Sequence, residues 1–312
     1  MKVFNNIEQI SKDVNTVLTI GTFDGFHIGH QEIIRSVVET AGKQNSRSFV
    51  ITFEPHPRSV VSKDYDVKLL TTINEKLELF EKAGIENVLI IDFTMEFSKL
   101  TAEEFVSRYL VNKIGINSII LGHDHKLGKD RAGGEDKIKE LGAKYNFNVV
   151  PVSAVQIDGE IVSSTKVRNA LLNSELDKAN KFLGRDYSIN GKIVEGAKRG
   201  RTLGFPTANI NPDNPNKIIP SNGIYFVECF IRKQKYFGLL NIGTRPTFDD
   251  SAKVILEVYL YDFAGDIYGE DISVILLKRM RDELKYNTKE ELIAQMENDK
   301  QNGIELIKNI NN

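Results

Sequence analysis

The segment from Gly21 to His30, which reads GTFDGFHIGH, constrains the fold of this chain more than any other. An apolar run of strand length, 17–20, comes before it. Apolar residues at helical spacing come after it, at Ile33, Ile34, Val37, Val38 and Ala41. Because buried strands and amphipathic helices have these patterns, the segment predicts a strand, a glycine-rich turn and a helix in that order.

The residue types in this turn favour an anion. We expect Gly21 and Gly25 to take backbone angles closed to other residues, and Gly29 to let a ligand approach the main chain. Free N–H groups and the positive end of the helix dipole face whatever lies above the turn. His27 and His30 share one face of the helix, so both can donate to the same phosphate. The segment therefore predicts a triphosphate site; the alternative is an ordinary turn with two partly exposed histidines.

Composition narrows the class of protein. A chain of 312 residues is long enough for two domains. Its net charge of −2 gives no general reason to bind nucleic acid or an anionic membrane. The single cysteine, Cys229, excludes an internal disulfide, and no apolar run approaches the roughly 20 residues that a membrane span needs. We expect a cytoplasmic, soluble protein, either a monomer or a weak homo-oligomer.

In the first half, short apolar runs alternate with helical patterns, which predicts a parallel sheet with helices on both faces. The expected strands are 49–53, 88–93, 118–121 and 148–152, and the expected helices are 74–83, 102–111 and 135–145. In such sheets ligands bind beyond the carboxyl ends of the strands, where the Gly21–His30 segment also lies.

Polar residues follow two of these strands and leave a metal site open. Glu54 and His56 follow one strand, and His123, Asp124 and His125 follow another. Two histidines and a carboxylate can bind zinc or iron if the loops converge. The alternative is that these histidines are polar surface groups.

A hydroxyl-rich segment precedes a further helical pattern. Ser163, Ser164 and Thr165 stand beside the cations Lys166 and Arg168. By themselves these residues are typical of a helix N-cap with a solvated face. Their pairing with the two histidines favours a phosphate site instead.

We expect a domain boundary after residue 182, giving domains 1–182 and 183–312. The second domain shows successive short strands with glycine or proline turns, which predicts an antiparallel barrel. The expected strands are 187–194, 223–231, 236–242, 254–263 and 272–277. A helix over 288–310 closes the chain, with Thr288 and Glu291 as its capping box.

The barrel has phosphate chemistry of its own. A glycine-rich, basic stretch ends in Thr207 and Asn209. These two side chains point to the same side of an extended segment, so both can reach one magnesium ion. A plain turn is the alternative. Glu257, the only charge in the apolar run 254–261, is the candidate base; we expect a largely buried strand there, with an ion pair to Arg245 as the alternative role.

These motifs resemble a known family. The string from Gly21 to His30 is similar to the signature of the nucleotidyltransferase superfamily, in the form found in bacterial bifunctional riboflavin kinases and FAD synthetases. The stretch from Arg201 to Asn209 resembles the riboflavin kinase signature of the same proteins. The resemblance covers about 14–305. It implies a Rossmann-like nucleotidyltransferase domain followed by a kinase barrel.

For the first domain, the resemblance implies that FMN and ATP react to give FAD and pyrophosphate. His27, His30 and Arg168 would stabilise charge in this reaction. The implied ATP and phosphate ligands are Gly21, Phe23, Asp24, Gly29, Asp124, Arg131, Ser163, Ser164 and Thr165. His125 and Leu127 replace two aromatic residues that the family usually has.

For the second domain, the resemblance implies that riboflavin is phosphorylated with Mg-ATP to give FMN. Glu257 would take the proton of the ribityl 5′-hydroxyl, and Thr207 and Asn209 would hold Mg²⁺. The implied ATP and flavin ligands are Gly196, Arg201, Gly204, Pro206, Asn241 and Arg281. Other adenylyl- or cytidylyltransferases, an aminoacyl-tRNA synthetase and a non-catalytic flavin-nucleotide-binding module are the alternatives.

Overall fold

The computed structural model describes residues 1–62, 67–123, 127–129, 133–196, 204–246 and 252–311. The chain divides into two compact units, Met1–Ser164 and Thr165–Asn312. The boundary that we expect between the two functional domains, at 182 and 183, lies inside the second unit and stays a prediction.

The first unit contains a six-stranded sheet in which every neighbouring pair is parallel. Its strands are β1 (Lys2–Phe4), β2 (Thr16–Ile20), β3 (Arg47–Glu54), β4 (Asn87–Asp92), β5 (Ser118–Gly122) and β6 (Asn148–Val152). The strand order is β1-β4-β3-β2-β5-β6. The chain therefore reverses direction across the sheet between β2 and β5, and a crevice at this switch point is where ligands bind in such folds.

Helices cover both faces of this sheet, as predicted. They are α1 (Ile28–Gln44), α2 (Pro57–Val61), α3 (Ile73–Lys82), α4 (Ala102–Phe105) and α5 (Glu135–Tyr145). Alternate strand residues enter two separate cores: Leu18 and Ile20 belong to one, and Val17 belongs to the other. The helix expected over 102–111 starts correctly but continues as a π-helical stretch, Val106–Ile114. A hairpin of β7 (Gln156–Ile157) and β8 (Glu160–Ile161) follows the sheet.

The second unit contains the predicted antiparallel barrel, which is closed. Its strands are β9 (Tyr187–Val194), β10 (Thr207–Pro212), β11 (Gly223–Ile231), β12 (Gln234–Pro246), β13 (Ala252–Leu260) and β14 (Asp271–Arg281). Around the barrel they run β10-β13-β12-β11-β14-β9. Strand β10 was expected only as an extended segment; its pairing with β9 and β13 closes the barrel.

One expectation about β13 is wrong. The strand is not apolar and buried on both faces, because burial alternates along it. Leu256 and Val258 are buried, whereas Glu257 between them is half-buried. Side chains on a strand point alternately to opposite faces, so Glu257 lies on the outer face of the barrel. The side chain of Arg245, its alternative ion-pair partner, lies outside the described part of the chain.

In the described residues, the helices that accompany the barrel in sequence are α6 (Ser164–Leu172), α7 (Leu176–Leu183) and α8 (Lys289–Asn311). At the start of α8, the N–H of Glu291 donates to Oγ1 of Thr288 at 3.1 Å, as expected of a capping box. The Glu291 carboxylate accepts instead from the N–H of Asn287, at 3.0 Å. No helix in the described residues is both long and apolar enough to cross a membrane.

Candidate active sites

The turn between β2 and α1 is held by buried aromatic side chains. Phe23 and Phe26 have φ angles of 48° and 41°, and Gly25 has 82°. Positive angles are unfavourable for residues with a side chain, so other contacts must stabilise them. Both phenylalanine rings are buried and make edge contacts with Phe80, with centroids 5.6 and 5.5 Å away. The aromatic core thus keeps the turn in an otherwise unfavourable conformation.

Gly21 was expected to take a backbone angle closed to other residues, and this expectation is wrong. Its φ angle is not positive; a Cβ atom there would instead lie 3.1 Å from the ring of Phe23. At Gly29, a Cβ would lie 3.1 Å from Cε1 of His27. Both glycines therefore make room for a neighbouring ring of the turn, and Gly25 is the one whose backbone angle requires glycine.

His27 and His30 lie together, as the sequence predicts. Their rings stack with centroids 3.7 Å apart and planes 18° apart. His27 is the N-cap of α1, and its Nδ1 accepts a hydrogen bond from the N–H of His30 at 3.4 Å. A neutral imidazole that accepts at Nδ1 has its proton on Nε2, so His27 presents a donor there. The edge of Phe23 contacts the His30 ring, with centroids 5.3 Å apart.

Asp24 holds the turn in place. It is 2% exposed, and its carboxylate accepts from the backbone N–H groups of Leu70 and Thr71, each at 3.0 Å. The hydroxyl of Thr71 in turn accepts from the N–H of Gly25 at 2.9 Å. These contacts give Asp24 a positioning role in the turn. Its predicted contact with ATP stays a prediction.

The hydroxyl-rich segment reaches the same turn. Ser164 opens α6, and its Oγ donates to the backbone oxygen of Asp24 at 2.8 Å. Ser163 directly precedes this helix. Thr165 and Arg168 lie on α6 within the second unit. The structure therefore places Ser164, the last residue of the first unit, in contact with the turn.

The loop after β5 is described only in part, and Asp124, His125 and Arg131 lie outside the described residues. Leu127, which replaces an aromatic residue of the resembled family, is 7% exposed and belongs to the hydrophobic core. Among the described residues, no group of three or more His, Cys, Asp or Glu side chains is placed to hold a metal ion.

Sequence reasoning missed one charged residue at this site. Lys76 on α3 is buried, and its Nζ donates to the backbone oxygen of Thr22 at 3.2 Å. It stands in a helical pattern with no motif around it, so nothing in the sequence distinguishes it from a surface lysine. Only the packing of α3 against the turn reveals it.

On the barrel, strand register brings together three predicted residues. Glu257 on β13 lies directly opposite Asn209 on β10 and directly opposite Asn241 on β12. All three are half-buried. Side chains in directly opposite positions have Cβ atoms about 5 Å apart. One carboxylate and two amides therefore form a continuous polar row on the outer face of the barrel.

Thr207 extends this row. It lies opposite Tyr259, two residues from Asn209 along β10 and so on the same face. The Oδ1 atom of Asn241 is buried and has no hydrogen-bond partner in the part of the chain that the structure describes. A buried acceptor without a partner is unfavourable unless a ligand satisfies it. The row therefore presents oxygen atoms to whatever binds above it.

The glycines near this row have different functions. A Cβ on Gly196 would overlap the Nδ2 atom of Asn209, so a larger residue there would displace this amide. Gly204 has a φ angle of 86°, which favours glycine. Phe205 and Pro206 follow it, and the buried Phe205 ring contacts Tyr259 with centroids 5.7 Å apart. Arg201 lies outside the described residues.

Arg281 has a partner within the protein. Its Nε and Nη2 atoms donate to the Asp299 carboxylate on α8, at 2.9 and 2.6 Å. Asp299 is 4% exposed, so this is a buried, two-point ion pair. It fixes α8 to the end of β14. The predicted contact of Arg281 with ATP or flavin stays a prediction.

Family models of known proteins match parts of both units. A family model for FAD synthetase matches residues 9–166, and one for riboflavin kinase matches residues 183–307. The barrel, which a lone adenylyl- or cytidylyltransferase would not need, is thereby explained. Fold and sites define a class of two-domain enzyme in which a nucleotidyltransferase-type sheet is joined to a kinase barrel.

Curated relatives match along almost the whole chain. A protein of Listeria monocytogenes is 39% identical over 93% of this chain and 91% of its own length. A protein of Buchnera aphidicola subsp. Schizaphis graminum is 38% identical over 99% and 98%, and one of Escherichia coli K12 is 36% identical over 96% of each. All three are named bifunctional riboflavin kinase/FMN adenylyltransferase. The chain belongs to this family.

A solved structure has the same fold. It comes from Streptococcus pneumoniae, is described as a macrolide-efflux protein, and matches with a TM-score of 0.88 at 30% identity. The match covers 96% of this chain and 97% of the other.

Proposed function

We propose that the chain makes FAD from riboflavin in two reactions at separate sites. In the barrel, the ribityl 5′-hydroxyl of riboflavin attacks the γ-phosphorus of ATP, giving FMN and ADP. In the first unit, a phosphate oxygen of FMN attacks the α-phosphorus of a second ATP, giving FAD and pyrophosphate. The observation that carries this assignment is the register that sets Glu257 between Asn209 and Asn241.

For the kinase reaction, Glu257 is the proposed base. It is the carboxylate of the polar row, and its position on the outer face lets a substrate reach it. It would accept the hydroxyl proton while the new O–P bond forms. The amides of Asn209 and Asn241 flank it and would orient the phosphates and the flavin.

The donor set of the row fits Mg²⁺, which prefers oxygen ligands and retains water. Oδ1 of Asn209 and Oγ1 of Thr207 would hold the ion. Nδ2 is the amide atom nearest Gly196, and Oδ1 lies farther from it. When bound there, Mg²⁺ would neutralise charge on the ATP phosphates, which is the main requirement of phosphoryl transfer. The oxygen donors thus support the magnesium prediction.

For adenylyl transfer, the stacked histidines are the proposed donors to the phosphates of ATP. They lie at the N-terminus of α1, whose backbone N–H groups also favour an anion. Donors fixed in place before the reaction stabilise the charge that develops on departing pyrophosphate. Ser164, the first residue of a second helix, contacts the same turn through the backbone oxygen of Asp24, and Ser163 directly precedes it.

Other assignments rest on the sequence alone. They are the roles of Phe23, Thr165, Arg168, Asp124, Arg131, Arg201, Gly204 and Pro206, the absence of nucleic acid partners, the cytoplasmic location and the monomeric or weakly oligomeric state.

The test is to incubate the protein with riboflavin and Mg-ATP and to separate the flavins by chromatography. We expect FMN first and FAD later, and a protein that makes neither would refute the proposal. Glu257→Gln should abolish FMN formation and keep FAD synthesis from added FMN, whereas His30→Ala should do the reverse. Glu228→Gln is the matched control, because Glu228 is also half-buried on the barrel, lies on β11 outside the polar row and pairs with Lys235 at 2.8 Å. If Glu257→Gln or His30→Ala removed both activities from folded protein, the model of separate sites would be wrong.

A further inference from the structure

Lys76 is a buried lysine at the edge of the sheet where the β2–α1 turn lies. It is 4% exposed, although lysine is almost never buried unless its charge is paired. Moving an ammonium group out of water is strongly unfavourable. A methionine or leucine would fill this position on α3 without that penalty, so the charge calls for an explanation.

The ammonium contacts the turn itself. Nζ donates to the backbone oxygen of Thr22 at 3.2 Å. The same oxygen also accepts from Oγ1 of Thr52 on β3, at 3.4 Å. Thr22 lies between Gly21 and Phe23, two residues after the end of β2. Lys76 therefore fixes the position of the chain at the start of the turn that ends in His27.

Two carboxylates face this ammonium. Burial lowers the pKa of Lys76, while the negative charges of Asp24 and Glu54 act in the opposite direction. Asp24 lies in the turn, and Glu54 ends β3. Asp24 is itself bound to the backbone at Leu70 and Thr71, just before α3. Two buried groups of opposite charge thus connect the turn to residues 70–76. Asp24 does so from the turn, and Lys76 does so from α3.

We propose that Lys76 is a positioning residue for adenylyl transfer, whose charged ammonium holds the Thr22–Asp24 segment so that His27 and His30 face the triphosphate. This inference rests on the proposed function of the first unit. The turn has an unfavourable backbone angle at Phe23, so residues outside the turn must stabilise it. This requirement explains why a charged group is buried beside it. The inference assigns a function in the reaction to a residue outside every sequence motif.

The first test is Lys76→Met, which keeps the length of the side chain and removes its charge and donors. FAD formation from FMN and ATP should fall about 100-fold in kcat/KM, because a shift of about 1 Å at a reacting centre has this effect. Riboflavin kinase activity of the same preparation should be unchanged. Lys82→Met is the matched control, because Lys82 is exposed on the same helix; both of its activities should be unchanged.

Two further measurements would distinguish this function of Lys76 from a purely structural role. Lys76→Arg keeps a positive charge and donors, so its kcat/KM for FAD formation should be at least about tenfold higher than that of Lys76→Met. Adenylyl transfer by the wild-type protein should decline at alkaline pH, below the usual range of lysine, because the lowered pKa of Lys76 makes it lose its proton early. The Arg variant should lack this decline, since arginine stays charged.

Each outcome decides the inference. Wild-type rates in folded Lys76→Met, or the same alkaline decline in Lys76→Arg as in the wild-type protein, would overturn it while leaving the proposed function intact. A wild-type protein that makes FMN from riboflavin but no FAD from FMN would overturn both.

Discussion

The contact between Gly196 and Asn209 allows a direct test of the kinase site. Gly196→Ala would place a Cβ atom 2.6 Å from Cγ of Asn209. Carbon atoms in contact lie about 3.5 Å apart, and Nδ2 lies closer still, so the Asn209 side chain would have to move by at least about 1 Å. Asn209 is a proposed magnesium ligand next to Glu257. A displacement of this size should lower kcat/KM for FMN formation about 100-fold.

The assay measures FMN formation from riboflavin and FAD formation from added FMN in the same preparation. FAD formation should be unchanged, because Gly196 lies in the second unit. Gly196 is also predicted to contact ATP directly, and a double-mutant cycle separates the two roles. If the substitution acts through Asn209, Gly196→Ala should have no further effect in an Asn209→Ala background. Additive effects, or a normal rate of FMN formation in Gly196→Ala, would refute this reasoning.

Three further substitutions have defined outcomes. Arg281→Met leaves the Asp299 carboxylate buried without its cation, so urea unfolding should show a loss of about 3 kcal/mol. Burial raises the pKa of Cys229, so the folded barrel keeps a proton that the unfolded chain releases above about pH 9. The free energy of unfolding should therefore fall as the pH rises above that value. In Cys229→Val, the plot of this free energy against pH should be less steep by about 1.4 kcal/mol per pH unit. Asp24→Asn replaces an acceptor with a donor facing backbone N–H groups, so FAD formation should fall while FMN formation is unchanged.

The sequence predicted most of the first unit because its signals are local. A buried strand, a glycine turn and an amphipathic helix each have their own pattern, and His27 and His30 are close because they are three residues apart on one helix turn. The requirement for glycine at position 21 was not predictable from local signals. The neighbour of Gly21 is the ring of Phe23, whose left-handed backbone depends on contacts with Phe80 on another helix.

In the barrel, the residues of the proposed site stand in sequence motifs, but their surroundings were not predictable. The run around Glu257 contains so few polar residues that periodicity favours a strand buried on both faces. The structure buries Leu256 and Val258 and leaves the intervening glutamate on the outer face, where half-exposed Ile255 and Tyr259 accompany it. Apolar side chains on an outer face are compatible with a substrate as flat and apolar as a flavin. Exposure of Glu257 thus strengthens its assignment as base, because a fully buried carboxylate could not reach a hydroxyl from solution.

The first site obtains its geometry from partners outside its motif. At the first site, the histidines depend on a turn that Asp24 and Lys76 hold through backbone atoms at Thr22, Leu70 and Thr71. Backbone atoms are the same in every residue, so such contacts leave no pattern in a sequence. A buried lysine beside a turn with positive φ angles becomes visible only when burial and hydrogen bonds are both known.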